Sequence, residues 1–191
     1  AITAERSEDQ VEDVSHDPYK REGLEYQKPS KLPFSKRGIM DYAEKVAQHL
    51  DFQPGGAMKE LIESFGGKIH YVDFSEWKKS ADGSVIVHGK HDFDILVSDF
   101  TGPARDRFTL AHEFGHYVLH SREGEKPIIA PRFGSNRTEW EANWFAAAFL
   151  MPQQEFTSMV KNGAKDFDLS SHFLVSELAI SVRKKDLGLE T

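Results

Sequence analysis

The residues of this chain best suited to chemistry lie in one short run, Leu110-Ala111-His112-Glu113-Phe114-Gly115-His116-Tyr117. On an α-helix, positions four apart share a face, so the His112 and His116 imidazoles can reach a single ion. Imidazole nitrogen suits Zn²⁺, which accepts it at about 2.0–2.1 Å in a tetrahedral shell. Glu113 follows the first imidazole by one residue, near the ion without binding it. From there its carboxylate can take a proton from zinc-bound water, whose pKa the metal draws down toward about 7, and pass it to a leaving amine. The pattern therefore supports metal-assisted hydrolysis of a peptide carbonyl.

An open catalytic zinc site wants a third protein ligand and one free position. The chain has no cysteine, so a carboxylate or another imidazole must serve. The segment Thr138-Glu139-Trp140-Glu141-Ala142-Asn143 offers two carboxylates. Glu141, among alanines and aromatics, reads as facing the interior, where an unpaired carboxylate is costly and a cation stabilises it. It is the favoured ligand. Glu139 is the weaker alternative, read more readily as a helix N-terminal acid that complements the dipole. Asn143 is a candidate to orient a ligand through a hydrogen bond. Tyr117, Tyr71 and His70 are candidates to stabilise an oxyanion, and spacing does not choose among them. His120 extends the row of imidazoles but lies too far along it, and reads as a helix C-terminal residue favoured by the dipole. His88 and His91 flank a turn and offer at most a weak metal site. Gly115 costs about 1 kcal/mol in a helix relative to alanine, which makes sense if another element packs closely against it.

Helical spacing of Ile39, Tyr42, Ala43, Val46, Ala47 and Leu50 predicts a first helix from near Ser35 to the Pro54-Gly55-Gly56 break. Met58 to Phe65 predicts a shorter second one. Lys68–Phe74, Ser84–His88 and Asp92–Ser98 read as three strands, the last two joined through His88-Gly89-Lys90-His91. The chemical helix, Ala104–His120, opens after Pro103. A Gly- and Pro-rich loop is expected from Arg122 to Gly134. Thr138–Met151 is the next helix, stopped by Pro152, which can itself start another. Leu169–Leu187 supplies one or two final helices, ending at Gly188. The fold class expected is α+β, mainly helical, with a small antiparallel three-stranded sheet. Residues 1–30 are polar and read as an arm that buries too little to offset its ordering entropy; residues 31–191 form the domain.

Composition narrows the partners. A formal charge of −7 and a pI near 5.7 weigh against direct binding to nucleic acid, which needs a basic surface. Arg183, Lys184 and Lys185 read as a solvated helix end rather than DNA contacts. No apolar run approaches the roughly 18 residues that span a bilayer. Ala1-Ile2-Thr3-Ala4-Glu5-Arg6 does not read as a secretory signal. A cytoplasmic location is expected.

The run Arg107-Phe108-Thr109-Leu110-Ala111-His112-Glu113-Phe114-Gly115-His116, followed by Glu141-Ala142-Asn143, Phe145-Ala146-Ala147 and Leu150-Met151-Pro152, resembles the ImmA/IrrE family. Phe173–Ser176 through Arg183, then Leu187-Gly188-Leu189, is similar to the family's end helices, so the likeness covers roughly residues 38–190. It implies a zincin-like minimal metallopeptidase domain holding one zinc per chain on His112, His116 and Glu141, with Glu113 catalytic. The partner it implies is a protein substrate, a helix-turn-helix repressor whose cleavage relieves gene silencing. Ser98-Asp99 stands where family members often carry an asparagine. A different reading is a zinc-bound module that sequesters a repressor or antitoxin without cutting it; the presence of Glu113 argues against it, since ligands alone would suffice for structure.

Overall fold

A computed structural model describes residues 18–73, 75, 83–99, 101–131 and 134–190. Seven α-helices are present among them: α1 (Lys36–His49), α2 (Met58–Ser64), α3 (Pro103–Gly115), α4 (Arg137–Leu150), α5 (Gln153–Lys161), α6 (Asp166–Phe173) and α7 (Glu177–Asp186). The strands are β1 (Gly67–Val72), β2 (Gly83–Gly89), β3 (Asp92–Ser98) and β4 (Ile128–Pro131). The ends follow local chemistry. Ser35 caps α1 through its hydroxyl on the Gly38 amide, Asn136 caps α4 on the Glu139 amide, and Pro103 sits in the first turn of α3. Pro152 does begin a further helix, α5. None of these helices is long and apolar enough to cross a membrane.

The α+β class holds, but the sheet is four-stranded and mixed, not three-stranded and antiparallel. Its order is β1-β3-β2-β4, with β1 parallel to β3 and the other pairs antiparallel. The β2–β3 hairpin docks by its returning strand, so β3, not β2, lies beside β1. That strand is apolar enough to sit between two neighbours: Phe93, Ile95 and Val97 pack on the helical side and Leu96 on the other. The fourth strand falls in the Gly- and Pro-rich stretch expected to be a loop. It is only four residues long, too short for periodicity to reveal.

The helical side carries the main core. There α4 packs against both α1 and α3, and its Phe145 and Phe149 stack face to face at 5.6 Å. Arg183 of α7 is not part of a solvated basic end. It is 1 % exposed, donates to the Met151 carbonyl from Nε (3.1 Å) and Nη2 (2.9 Å), and meets Glu44 at 3.0 Å, which ties α7 to α1.

The first part of the polar arm, residues 1–17, lies outside the described residues. Its remainder makes specific contacts. Gln27 bridges to Ile128 on the outer edge of β4, Arg21 pairs with Asp92, and the Tyr26 hydroxyl meets His88 Nδ1 at 2.6 Å.

Candidate metal centre

Two helices build the site. Helix α3 presents His112 and then opens into a π-helical turn, His116–His120, closed by the Ser121 amide on the His116 carbonyl at 3.1 Å. This wider turn, a form common at functional sites, brings His120 Nδ1 within 2.9 Å of His116 Nδ1. Helix α4 lies against α3, and its Phe145 side chain packs onto Gly115. A Cβ added there would sit 3.0 Å from Phe145 Cδ1, so the glycine permits the close approach that its helical cost suggested.

The structure brings Glu139, and not Glu141, to the imidazole pair. Glu139 Oε2 lies 3.1 Å from His112 Nε2, and Glu139 Oε1 lies 3.1 Å from His116 Nε2. Glu141 instead faces His120, with Oε2 at 2.9 Å from His120 Nε2, and takes hydrogen bonds from Arg137 Nε (2.8 Å) and the Leu32 amide (3.0 Å). Helix geometry explains the difference. Residues two apart are rotated by about 200°, so Glu139 and Glu141 cannot both face α3 at the same place. Asn143, four residues after Glu139, shares its face and accepts a hydrogen bond from His112 Nδ1 at 2.8 Å.

These contacts set the imidazole tautomers. Asn143 Oδ1 can only accept, so His112 Nδ1 is the donor there, and Nε2, hydrogen-bonded to Glu139 Oε2 at 3.1 Å, is the nitrogen left to exchange that partner for an ion. His116 Nε2 and Glu139 Oε1 are both buried and lack a hydrogen-bond partner among the described residues. Their 3.1 Å separation is a close contact without hydrogen-bond direction, as expected of two electron-pair donors aimed at one point. Ligands on a tetrahedral zinc with arms of 2.0–2.1 Å stand about 3.3 Å apart, so the observed spacings fit. His112, Glu113 and His116 also have ligand-type atoms within 4.8 Å of one another. Of these, Glu113 is turned toward the sheet, where Ser84 Oγ donates to its Oε1 at 2.6 Å.

Electrostatics matches this geometry. Burial pushes His116 down to about 4, against the pull of Glu139, which keeps it neutral. Burial likewise opposes charge on His112, but Glu139 and Glu113 raise it overall. Glu139 is also penalised by burial, yet the facing His112 and His116 hold it down to about 2. The first turn of α4 adds its dipole. Two imidazoles facing one anionic carboxylate are a donor set for a divalent cation, which takes the place of the proton that Glu139 favours on His112.

Ser84 carried no recognisable sequence signal. It is the extra residue of an irregularity in the β2–β4 pairing, between the Gly83–Pro131 and Val85–Ala130 pairs. Such a bulge re-aims a side chain, here toward α3. Tyr117 is fully buried, stacked on Phe93 at 4.1 Å, with its hydroxyl taking the His91 amide and donating to the Glu123 carbonyl. It is committed to the core. Tyr71 is half-exposed on β1, two strands from Ser84. His70 and His88 both meet Asp94 at 2.7 Å on the sheet face opposite the helices, and His91 Nδ1 meets the Phe65 carbonyl. Beside Asn143 runs a largely apolar groove of about 640 Å³, formed by α3, α4 and α7 and including Phe108, Trp140, Trp144, Leu178 and Val182.

The chain matches the family model described as Peptidase M78, IrrE N-terminal-like domain, over residues 62–185. Comparison with curated proteins yields no match. The matched span contains the elements that build the site, α3 with His112, the π-helical turn with His116, and α4 with Glu139 and Asn143. Because it also covers well over half of the sequence, the chain belongs to the Peptidase M78 family of IrrE N-terminal-like domains, a metallopeptidase family.

Proposed function

We propose that the protein is a zinc-dependent endopeptidase in which His112, His116 and Glu139 hold one zinc ion and Glu113 is the general base. The observation that carries this reading is the convergence of two imidazole Nε2 atoms on one buried carboxylate, with Glu113 alongside. The expected ligand Glu141 yields to Glu139 because its oxygens are taken by His120, Arg137 and Leu32. Zinc bound there supplies Lewis acidity, polarising a scissile carbonyl and lowering the pKa of a water toward about 7. Glu113 takes the proton from the attacking water and hands it to the departing amine. Ser84 holds the Glu113 carboxylate in position for both transfers, and Asn143 holds the His112 ring.

The substrate is a protein chain, and the apolar groove beside Asn143 suits its side chains. The family resemblance favours a helix-turn-helix repressor met in the cytoplasm. The test is to load wild type and Glu113→Gln with stoichiometric zinc and incubate each with the DNA-binding protein encoded beside this chain. Wild type should cut it. Glu113→Gln should keep the zinc and lose about 10²–10⁴-fold in rate, the usual contribution of a general base. Equal cutting by both proteins would refute the role of Glu113. Zinc-loaded wild type that binds the partner without ever cutting it would favour the sequestering module.

A further inference from the structure

We propose that His120 and Glu141 are positioning residues, which together fix His116 in the tautomer that turns its Nε2 lone pair toward Glu139. The inference rests on reading His116 as a metal ligand, and the contacts order the protons along the path. Glu141 receives the Leu32 amide, Arg137 Nε and His120 Nε2. Each of these partners offers a hydrogen, so the carboxylate acts as acceptor throughout and His120 must carry a proton on Nε2. A neutral His120 then has a bare Nδ1, and the atom 2.9 Å from it, His116 Nδ1, must be the donor. His116 Nε2 is left without a hydrogen, beside Glu139 Oε1. A carboxylate thus orients a metal-binding imidazole through a second imidazole, extending by one residue the usual carboxylate–histidine arrangement at metal sites.

The relay also reaches the segment before α1. Leu32 donates its amide to Glu141, and Arg137 Nη2 donates to the Phe34 carbonyl at 2.6 Å. The three side chains of the relay are buried: His116 and Glu141 are 0 % exposed and His120 is 6 % exposed. Water is thereby kept from competing for the protons.

Long-range ¹H–¹⁵N correlation of the imidazoles in wild-type protein at neutral pH reads the tautomers directly. The expected result is His116 protonated on Nδ1 and His120 on Nε2; the opposite tautomer of either ring overturns the proposal. Chelator competition then measures zinc affinity in His120→Leu, His120→Asn and Glu141→Gln. The amide oxygen of Asn can replace Nδ1 as acceptor, so His120→Asn should stay near wild type while His120→Leu weakens zinc about 10–100-fold. Equal affinities in the Leu and Asn variants would overturn the relay, since a merely structural role predicts no such split. If the Leu variant fails to fold, Glu141→Gln provides the affinity test: loss of zinc affinity supports the relay and wild-type affinity overturns it. Wild type that binds no zinc yet shows the expected tautomers would refute the metal reading and not the proton order.

Discussion

Glu139→Gln tests the centre most sharply, because it keeps the shape of the side chain and removes the charge that both imidazoles face at 3.1 Å. Its new amide N–H can also donate to a bare imidazole nitrogen, occupying the lone pair that a metal would need. Zinc binding by small protein sites is worth about 10–16 kcal/mol, so one ligand in four accounts for roughly 3 kcal/mol, about 10²-fold in Kd. With zinc at about 100 times the wild-type Kd, wild type gains about 2.7 kcal/mol of stability. At about 2–4 °C per kcal/mol for a chain of this size, Tm should rise by about 5–11 °C. The variant, at the same zinc concentration, gains only about 0.4 kcal/mol, or about 1 °C. Thermal melts with zinc and with chelator measure this difference. A Glu139→Gln protein that keeps the full wild-type zinc shift would show that the carboxylate is not a ligand.

Three further outcomes follow from the geometry. Asn143→Leu removes the acceptor on His112 Nδ1 and should weaken zinc about 10–100-fold, measured by chelator competition, with Asn143→Asp retaining most of the affinity. Gly115→Ala sets about 1 kcal/mol of helix propensity against a Cβ 3.0 Å from Phe145. Phe145 is locked against Phe149 and Phe114, so overpacking of about 1–3 kcal/mol should win and lower the urea midpoint, with Phe145→Leu restoring it. In metal-free protein, Glu139 has a folded pKa of about 2, below its ordinary 4.5, because the two imidazoles outweigh the burial that opposes its charge. A depressed carboxylate stabilises the fold above its ordinary pKa, and that contribution is lost as pH falls from 4.5 toward 2. Acid unfolding of metal-free Glu139→Gln, followed by circular dichroism, should therefore show a smaller loss over that window than wild type.

Much of the fold was legible because its signals are local. Helices α1 to α4 announce themselves by apolar spacing and by Ser35, Pro103 and Pro152 at their boundaries, and β2 and β3 by alternation around a short turn. The parallel β1–β3 pairing and the existence of β4 were not legible. Strand order depends on which edge of a hairpin finds a neighbour, and β4 has too few residues to show a period. Glu139 was nearly legible. Once Asn143 is read as holding an imidazole, the residue four before it on the same helix face is Glu139, whereas Glu141 points elsewhere.

The sequence by itself determined the two imidazoles and the carboxylate next to the first, since a four-residue interval on one helix is enough to bring both rings to one side. It also determined the absence of thiolate ligands. Only the tertiary structure decided which glutamate completes the centre, that Ser84 reaches Glu113, and that His120 and Glu141 stand behind His116. Those relations join α3 to α4, to a bulged strand and to the segment around Leu32. Contacts between elements depend on how those elements rotate and how closely they approach, and spacing along one helix carries neither.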